Sequence, residues 1–311
     1  MTKQPAIELK NITKRFGKVV ANKNVNLTAY RGEILSILGE NGSGKTTLMN
    51  MISGIYFPDE GQIFIDEKEA VITSPKDAFN YKIGMIHQHF KLVDVFSATE
   101  NIVLGIEDGK YDLSKSKSEI KKISEQYGFD LALEKKIYTM SVSEKQTVEI
   151  IKVLYRGADI LILDEPFSGL DPVNSKIFQD ALLDYIREDR IIIFSSHQMS
   201  YVESFCDDIA IIKEGQIVLE GNLKEIKEEM GQDRLRVRFG EAGMQDLQFL
   251  ANYDYVIEGQ DIILNLLADQ SKDDFIRELL DQQVEISLFM DYLPSLQEIF
   301  IEKAGNQDEA I

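Results

Sequence analysis

The chain has 311 residues, of which 44% are apolar and 28% charged, so it can bury a large core and is longer than most single domains. Its 53 acidic and 34 basic residues give a net charge of −19, which argues against a basic nucleic-acid-binding surface. A single cysteine excludes an intrachain disulfide, and the first residues lack the apolar core of a secretion signal. We therefore expect a cytosolic protein that does not act on nucleic acid.

The first part of the chain predicts buried strands that alternate with helices. Ile34–Leu38 is an apolar run that ends at Gly39, and Thr46–Ile52 then predicts a helix. Further buried strands are predicted at Ile160–Leu163 and Ile191–Ser195. This alternation predicts a largely parallel α/β sheet. The apolar runs are much shorter than the roughly 20 residues of a membrane-spanning helix, so a membrane role requires a partner chain.

Beyond Gly221 the composition becomes more acidic, with 20 acidic and 8 basic residues over positions 221–311. This change predicts a boundary between a domain at 1–222 and an accessory domain at 223–311. The second part predicts strand, helix, strand, strand, helix and strand, an order that fits a small α+β ferredoxin-like domain. The predicted elements are Leu235–Phe239, Gln245–Ala251, Tyr253–Ile257, Ile262–Leu267, Asp273–Leu280 and Val284–Phe289, and a last helix is predicted at about 293–303.

A phosphate-loop motif lies between the strand Ile34–Leu38 and the helix that follows it. Its sequence is Gly39-Glu40-Asn41-Gly42-Ser43-Gly44-Lys45-Thr46. Glycines let backbone N–H groups converge on phosphates, and the helix N-terminus adds a favourable dipole. Lys45 is expected to neutralise the β- and γ-phosphates, and the Thr46 hydroxyl to bind Mg²⁺.

A second motif places two carboxylates, Asp164 and Glu165, at the end of the strand Ile160–Leu163. Ligands of α/β sheets bind at the carboxyl ends of strands. Asp164 is expected to hold Mg²⁺, and Glu165 to act as general base on the attacking water. An acidic pair at a strand end is also common in solvated turns, so the assignment depends on the phosphate loop beside it.

Together these motifs resemble the ATP-binding subunit of an ABC transporter, over about residues 5–222. The resemblance implies a P-loop NTPase fold of the ABC ATPase type, with a helical subdomain at about 90–157 and ATP and Mg²⁺ as cofactors. It also implies that Phe16 stacks on adenine, that Gln88 senses Mg²⁺ and the attacking water and contacts the membrane partner, and that His197 contacts the γ-phosphate. An ordinary core phenylalanine is the alternative for Phe16.

The motifs and the resemblance together define the expected site. Catalytic roles fall to Lys45, Gln88, Glu165 and His197, and metal binding to Thr46, Gln88 and Asp164. Nucleotide contacts are expected from Phe16, Gly39, Asn41, Gly42, Ser43, Gly44, Lys45, Thr46, Thr47, Ser141, Ser143 and Asp171, the last in the loop Ser168-Gly169-Leu170-Asp171 that faces the second subunit. His87 and His89 permit a zinc site as an alternative, but no further cysteine or histidine lies near them in sequence.

The family's Leu-Ser-Gly-Gly-Gln motif is altered in this chain. Met140-Ser141-Val142-Ser143 keeps the serine and replaces both glycines, and Ser141 with Glu144 also forms a predicted capping box. Glycine at the position of Ser143 would permit close approach to the γ-phosphate and a positive φ. Restoring it is therefore expected to raise ATP-driven dimerisation and turnover, and the serine suggests a slow, ATP-gated dimerisation switch as an alternative function.

Two parts of the chain resemble different branches of the family. Tyr81–Gly105 and Gln146–Pro166 are similar to nucleoside- and sugar-import cassettes, whereas the chain from Ser168 onward is similar to sodium- or multidrug-export cassettes with an appended domain. The appended domain leads us to prefer export.

The resemblance implies an ATPase that forms a homodimer or heterodimer around two ATP·Mg²⁺ and powers transmembrane permease subunits from the cytoplasmic face of the membrane. A soluble ATPase of this type that acts on ribosomes or DNA is a further alternative. Such a protein would be expected to have two cassettes or a long coiled coil, whereas this chain has one phosphate loop and no sustained heptads.

Overall fold

The computed structural model describes residues 4–87, 90–106, 112–186, 189–240 and 250–305. Within these ranges the chain divides into two units. The first contains the residues up to Gly221 together with Lys303–Gly305, and the second contains Asn222–Glu302. Lys303–Gly305 group with the first unit, although they lie in the range 223–311 that the sequence analysis gave to the accessory domain.

An antiparallel sheet of four strands opens the first unit. Its order is β2-β1-β4-β5, and each neighbouring pair is antiparallel. The strands are β1 (Pro5–Phe16), β2 (Val19–Tyr30), β4 (Glu60–Ile65) and β5 (Lys68–Ala70). The turn between β1 and β2 brings residues 19–21, at the start of β2, toward the phosphate loop, where they line the cavity described below.

The second sheet of this unit has six strands in the order β10-β9-β3-β8-β7-β6. Its strands are β3 (Ile34–Leu38), β6 (Ile83–Ile86), β7 (Ile160–Asp164), β8 (Ile191–Ser195), β9 (Asp208–Lys213) and β10 (Gln216–Asn222). The pairs β3–β8, β3–β9, β6–β7 and β7–β8 are parallel, and every residue of β3, β7 and β8 is buried. The predicted parallel α/β sheet is confirmed, and burial on both faces explains why its strands are continuously apolar.

Seven helices accompany these sheets in the described part of the first unit up to Gly221. They are α1 (Lys45–Ile52), α2 (Pro75–Asn80), α3 (Ala98–Val103), α4 (Leu113–Gln126), α5 (Val142–Tyr155), α6 (Pro172–Tyr185) and α7 (Met199–Phe205). α3, α4 and α5 pack on one another and lie within the range predicted for the helical subdomain.

The core between the sheets fixes the position of the phosphate loop. One buried apolar cluster combines Ile7 and Leu27 of the antiparallel sheet with Ile37 and Ile193 of the parallel sheet and Met49 of α1. Because both ends of the loop belong to elements of this cluster, the loop has little freedom to move.

The second unit contains the four strands and the second of the two helices in the ferredoxin-like order that the sequence predicted. Its sheet runs β12-β13-β11-β14, and all of its pairs are antiparallel. The elements are α8 (Leu223–Met230), β11 (Arg234–Phe239), β12 (Tyr255–Glu258), β13 (Asp261–Asn265), α9 (Lys272–Asp281), β14 (Ile286–Asp291) and α10 (Leu296–Ala304). Most of the helix predicted at Gln245–Ala251 lies outside the described residues.

Truncation after Leu223 is expected to leave a folded first unit, because each unit has its own buried apolar cluster. The truncated chain also loses the hydrogen bond from Lys213 Nζ to the Gly305 carbonyl, 3.2 Å long and worth about 1 kcal/mol. Circular dichroism and ATP binding measure the outcome, and full-length Lys213→Ala isolates the loss of this bond. An unfolded truncated chain would show that the second unit completes the first.

Candidate nucleotide-binding site

The phosphate loop has the strand–loop–helix geometry that the sequence predicted. β3 ends at Leu38 and α1 begins at Lys45, with Gly44 at the N-cap. Gly44 has φ +109°, and a Cβ there would lie 2.4 Å from the Ala21 carbonyl oxygen. A side chain at this position would therefore be strained by both its backbone conformation and a backbone contact.

Lys45 is buried at the start of α1. Its Nζ donates to the carbonyl oxygens of Gly39 at 2.8 Å and Glu40 at 3.0 Å. Burial lowers the pKa of Lys45, and the negative charges of Glu165 and Asp164 partly offset this effect. Within the described ranges its ammonium has no carboxylate within ion-pair distance. A buried cation of this kind suits an anionic ligand such as a phosphate chain.

Asp164 lies at the carboxyl end of β7, beside the phosphate loop. The Thr46 hydroxyl donates to its Oδ1 over 3.2 Å, although 118 residues separate the two in sequence. Carboxylate and hydroxyl oxygens are ligands of the type that Mg²⁺ takes, usually with phosphate oxygens and water completing the coordination. The residues present fit the expected Mg²⁺ site.

Glu165 and His197 form the other wall of the site. The two side chains are 2.8 Å apart, between Glu165 Oε2 and His197 Nδ1. Glu165 has φ +50°, a left-handed conformation that non-glycine residues seldom adopt. The contact orients the histidine ring relative to the carboxylate that is expected to accept a proton.

Lys45, Thr46, Glu165 and His197 line one cavity of about 440 Å³. It is lined by Val19, Val20, Ala21, Asn41, Gly42, Gly44, Lys45, Thr46, Thr47, Glu165, His197, Glu214 and Gly215. The cavity thus brings together most of the predicted phosphate-loop residues and three of the four predicted catalytic residues, Lys45, Glu165 and His197. Glu214 and Gly215, and Val19–Ala21 at the start of β2, were not predicted as site residues.

Phe16 is separate from this cavity. It is 43% exposed, and its ring meets that of Tyr56 edge-on at 5.1 Å. The alternative of an ordinary core phenylalanine is therefore wrong, while adenine stacking stays a prediction. Gln88 and His89 lie outside the described residues, so their predicted roles also stay predictions. Among the described residues, no group of three or more His, Cys, Asp or Glu side chains could hold a metal ion.

Asp171 serves as a helix cap. Its carboxylate accepts the backbone N–H groups of Val173 at 2.9 Å and Asn174 at 3.0 Å, at the start of α6. The hydrogen bonds from the Asn174 backbone and side chain hold the pKa of Asp171 below its usual value. These contacts fix the loop before α6, and the predicted nucleotide contact of Asp171 stays a prediction.

Ser141 caps α5, as the sequence predicted. Its hydroxyl accepts the Glu144 N–H at 3.2 Å, and Glu144 Oε2 accepts the Ser141 N–H at 2.8 Å. Ser143 lies within the first turn of α5 and has no positive φ. The positive φ that would favour glycine at this position is therefore absent, because the capping box holds Ser143 in an ordinary helical conformation, while the close approach to a γ-phosphate stays a prediction.

Ser143→Gly is now expected to leave ATP turnover no higher than in the parent. Glycine in a helix is less favourable than serine by about 0.5 kcal/mol, so a small loss of thermal stability should accompany the change. Turnover at saturating ATP and thermal unfolding are the measurements, and Ser143→Ala is the matched control that keeps the helix propensity high. A several-fold rise in turnover with glycine but not with alanine would contradict this expectation.

The described part of the chain contains no helix that is long and apolar enough to cross a lipid bilayer.

Comparison with protein families gives two matches. Residues 22–168 match the ABC transporter family, and residues 221–304 match the C-terminal domain of DrrA1-3-like ATP-binding proteins. The first range contains the phosphate loop and both carboxylates of the site.

Two of the curated relatives show the extent of the similarity. The nucleoside import ATP-binding protein NupA of Lactococcus lactis is 43% identical over 221 residues, which are 70% of this chain and 44% of that protein. The ribose import ATP-binding protein RbsA of Caldanaerobacter subterraneus is 38% identical over 227 residues, 72% of this chain and 46% of that protein. The chain thus spans less than half the length of these relatives. Both are named as import proteins, so they do not support the preference for export.

A solved structure of an ABC transporter component is also similar to this chain. The cbiO1 protein of Clostridium perfringens, part of the ABC transporter complex cbiONQ, is 28% identical with a TM-score of 0.64, over 73% of this chain and 92% of that one. The family match, the two relatives and this structure agree with the cavity formed by the phosphate loop and the carboxylates. The first unit of this chain is therefore an ATP-binding domain of the ABC transporter family, a P-loop fold that binds ATP with Mg²⁺.

Proposed function

We propose that this chain is a subunit that dimerises around two ATP·Mg²⁺ and couples ATP hydrolysis to solute movement through transmembrane permease subunits. The observation that carries this proposal is the cavity of about 440 Å³, around which a buried lysine and a carboxylate–histidine pair face one another. Phosphoryl transfer to water requires mainly positioning and charge stabilisation, and this arrangement offers both.

In this proposal different residues of the chain bind the phosphates, hold the metal and accept the proton. Backbone N–H groups of the loop and the Lys45 ammonium bind the phosphates, and Thr46 and Asp164 hold the metal. Mg²⁺ held by Thr46 and Asp164 would neutralise charge on the phosphates. Glu165 Oε2 accepts a proton from the attacking water, while its contact with His197 Nδ1 keeps both side chains at the γ-phosphate end of the cavity.

A second subunit completes each site in this proposal. The N-terminus of α5, capped by Ser141, supplies N–H groups that suit an anion. We propose that this end of α5 contacts the γ-phosphate bound by the opposite subunit, which is either a second copy or a related cassette. ATP thereby joins the two subunits.

Import is the direction that we propose. The relatives described above are named for nucleoside and ribose import, which makes nucleosides and pentose sugars the first solutes to test. The subunit would then lie at the cytoplasmic face of the membrane, bound to its permease.

Purification of the native complex from detergent-solubilised membranes tests the proposal. We expect transmembrane subunits to copurify and ATP turnover to rise when the complex is reconstituted with a transported solute. Copurification of ribosomes or nucleic acid in place of a permease would contradict the transport role. ATP-dependent dimerisation without measurable turnover would favour the slow switch that the altered motif suggested.

A further inference from the structure

We propose that Ser195 is a positioning residue that holds both carboxylates of the site in their working geometry. The inference rests on the proposed ATP hydrolysis and concerns a residue that the sequence indicated only as the end of a buried strand. Its hydroxyl lies 2.7 Å from Asp164 Oδ1 and 3.0 Å from the Glu165 backbone nitrogen. One side chain thus contacts two consecutive residues of the site.

The strand register places Ser195 there. β7 and β8 are parallel neighbours, and Asp164 lies directly opposite Ser195 at their carboxyl ends. Ser195 is fully buried, so water does not compete for its hydroxyl. Both of its contacts are therefore internal and persistent.

The chemistry of the two partners fixes the direction of each hydrogen bond. A hydroxyl has one proton to donate and lone pairs to accept. Since the Glu165 N–H can only donate, Ser195 accepts from it. Its own proton then goes to the Asp164 carboxylate, which forms a charge-assisted bond.

The hydrogen bond from Ser195 helps to fix the orientation of the Asp164 carboxylate. Oδ1 receives the Ser195 hydroxyl from the neighbouring strand and the Thr46 hydroxyl from the phosphate-loop side. Two donors on one oxygen restrict rotation of the carboxylate, so Asp164 and Thr46, the two side chains that would hold Mg²⁺, are held close together. Without Ser195, only the longer bond to Thr46 remains among the hydrogen bonds described for this side chain.

The hydrogen bond that Ser195 accepts from the Glu165 N–H helps to fix the backbone conformation of Glu165. Its φ of +50° is unfavourable for a residue with a side chain and persists only where surrounding contacts enforce it. The bond from Glu165 N–H to Ser195 is such a contact. Relaxation of this backbone would rotate the side chain away from His197, which lies 2.8 Å from Oε2 in the structure.

Ser195→Ala tests the inference in the full-length protein. We expect kcat for ATP to fall about tenfold to a hundredfold, as for the loss of a hydrogen bond to a charged group, while KM for ATP stays within about threefold. The Mg²⁺ concentration for half-maximal turnover should rise several-fold. Ser195→Thr keeps the hydroxyl and should recover most of kcat.

Ser36→Ala is the matched control. Ser36 is a fully buried serine of the neighbouring strand β3, and no hydrogen bond joins it to Asp164 or Glu165. A merely structural role of Ser195 predicts a loss of thermal stability in Ser195→Ala, little change in stability in Ser36→Ala, whose hydroxyl has no hydrogen-bond partner among the described residues, and no change in kcat or Mg²⁺ dependence in either variant. We expect the kinetic change in Ser195→Ala alone.

The outcomes separate this inference from the proposed function. Parental kcat and Mg²⁺ dependence in Ser195→Ala, beside normal turnover by the parent, would overturn the inference and leave ATP hydrolysis standing. If the parent shows no turnover, the proposed function is refuted, and the Mg²⁺ dependence of ATP binding then tests the role of Ser195. Equal Mg²⁺ dependence of ATP binding in the parent and in Ser195→Ala would overturn the inference. If Ser195→Ala does not fold, Ser195→Cys keeps a similar volume, weakens both hydrogen bonds and serves in the same measurements.

Discussion

Lys45→Ala is expected to weaken ATP binding by about tenfold to a hundredfold, which corresponds to about 1.5–3 kcal/mol for a lost bond to a charged group, and to abolish turnover. The ammonium is already buried, and the Gly39 and Glu40 carbonyls hold it beside the loop that is expected to bind the phosphates. Alanine removes the only side-chain cation that lines the described cavity. Equilibrium binding of ATP and steady-state phosphate release are the measurements.

Lys82→Ala is a suitable control for this experiment. Lys82 forms a surface ion pair with Asp159, 2.8 Å long and remote from the cavity lining, and such pairs contribute about 0–1 kcal/mol to stability. Its loss should leave binding and turnover at parental values. If Lys45→Ala also binds and hydrolyses ATP as the parent does, the phosphate-loop assignment is wrong.

The parallel sheet and the phosphate loop could be predicted because their signals are local. Ile160–Leu163 and Ile191–Ser195 are continuous apolar runs, as strands covered on both faces must be. The glycines of the loop stand at fixed spacing, and Gly44 adopts a backbone conformation that only glycine takes easily. The order of elements alone was sufficient to predict the ferredoxin-like sheet of the second unit.

The remaining site contacts could not be predicted because they depend on strand register. Ser195 touches Asp164 only because β8 lies beside β7 with these two residues opposite each other, although they are 31 positions apart in sequence. Glu214 lines the cavity from the turn between β9 and β10, far along the chain from the phosphate loop. No local pattern of residue types carries this information.

Ser143 illustrates a different limit of sequence comparison. The family's Leu-Ser-Gly-Gly-Gln motif has glycine at this position, which suggests that serine strains the loop. The neighbouring residues, however, determine the local backbone conformation. The reciprocal hydrogen bonds between Ser141 and Glu144, together with the ion pair of Glu144 with Lys135, hold the first turn of α5 as a regular helix. The altered motif therefore need not prevent α5 from presenting its N-terminus to a phosphate.

Glu165→Gln is expected to reduce ATP turnover by about 10²–10⁴-fold while ATP binding survives. The amide keeps the size of the side chain and can still form a hydrogen bond with His197 Nδ1, but it cannot accept a proton from water. The positive φ of residue 165 depends on its backbone N–H, which the substitution does not change. With binding intact and hydrolysis blocked, the variant should accumulate as an ATP-bound dimer, visible by size-exclusion chromatography with multi-angle light scattering.

Glu214→Gln is the matched control for this variant, because Glu214 lines the same cavity and the change removes the same charge. Loss of one negative charge near the phosphates should favour ATP binding slightly in both variants, whereas only the loss of the base should slow the chemical step. A large fall in turnover in Glu165→Gln beside parental turnover in Glu214→Gln would therefore identify proton transfer as the role of Glu165. Equal turnover in the two variants would show that the carboxylate contributes charge alone and that the attacking water loses its proton elsewhere.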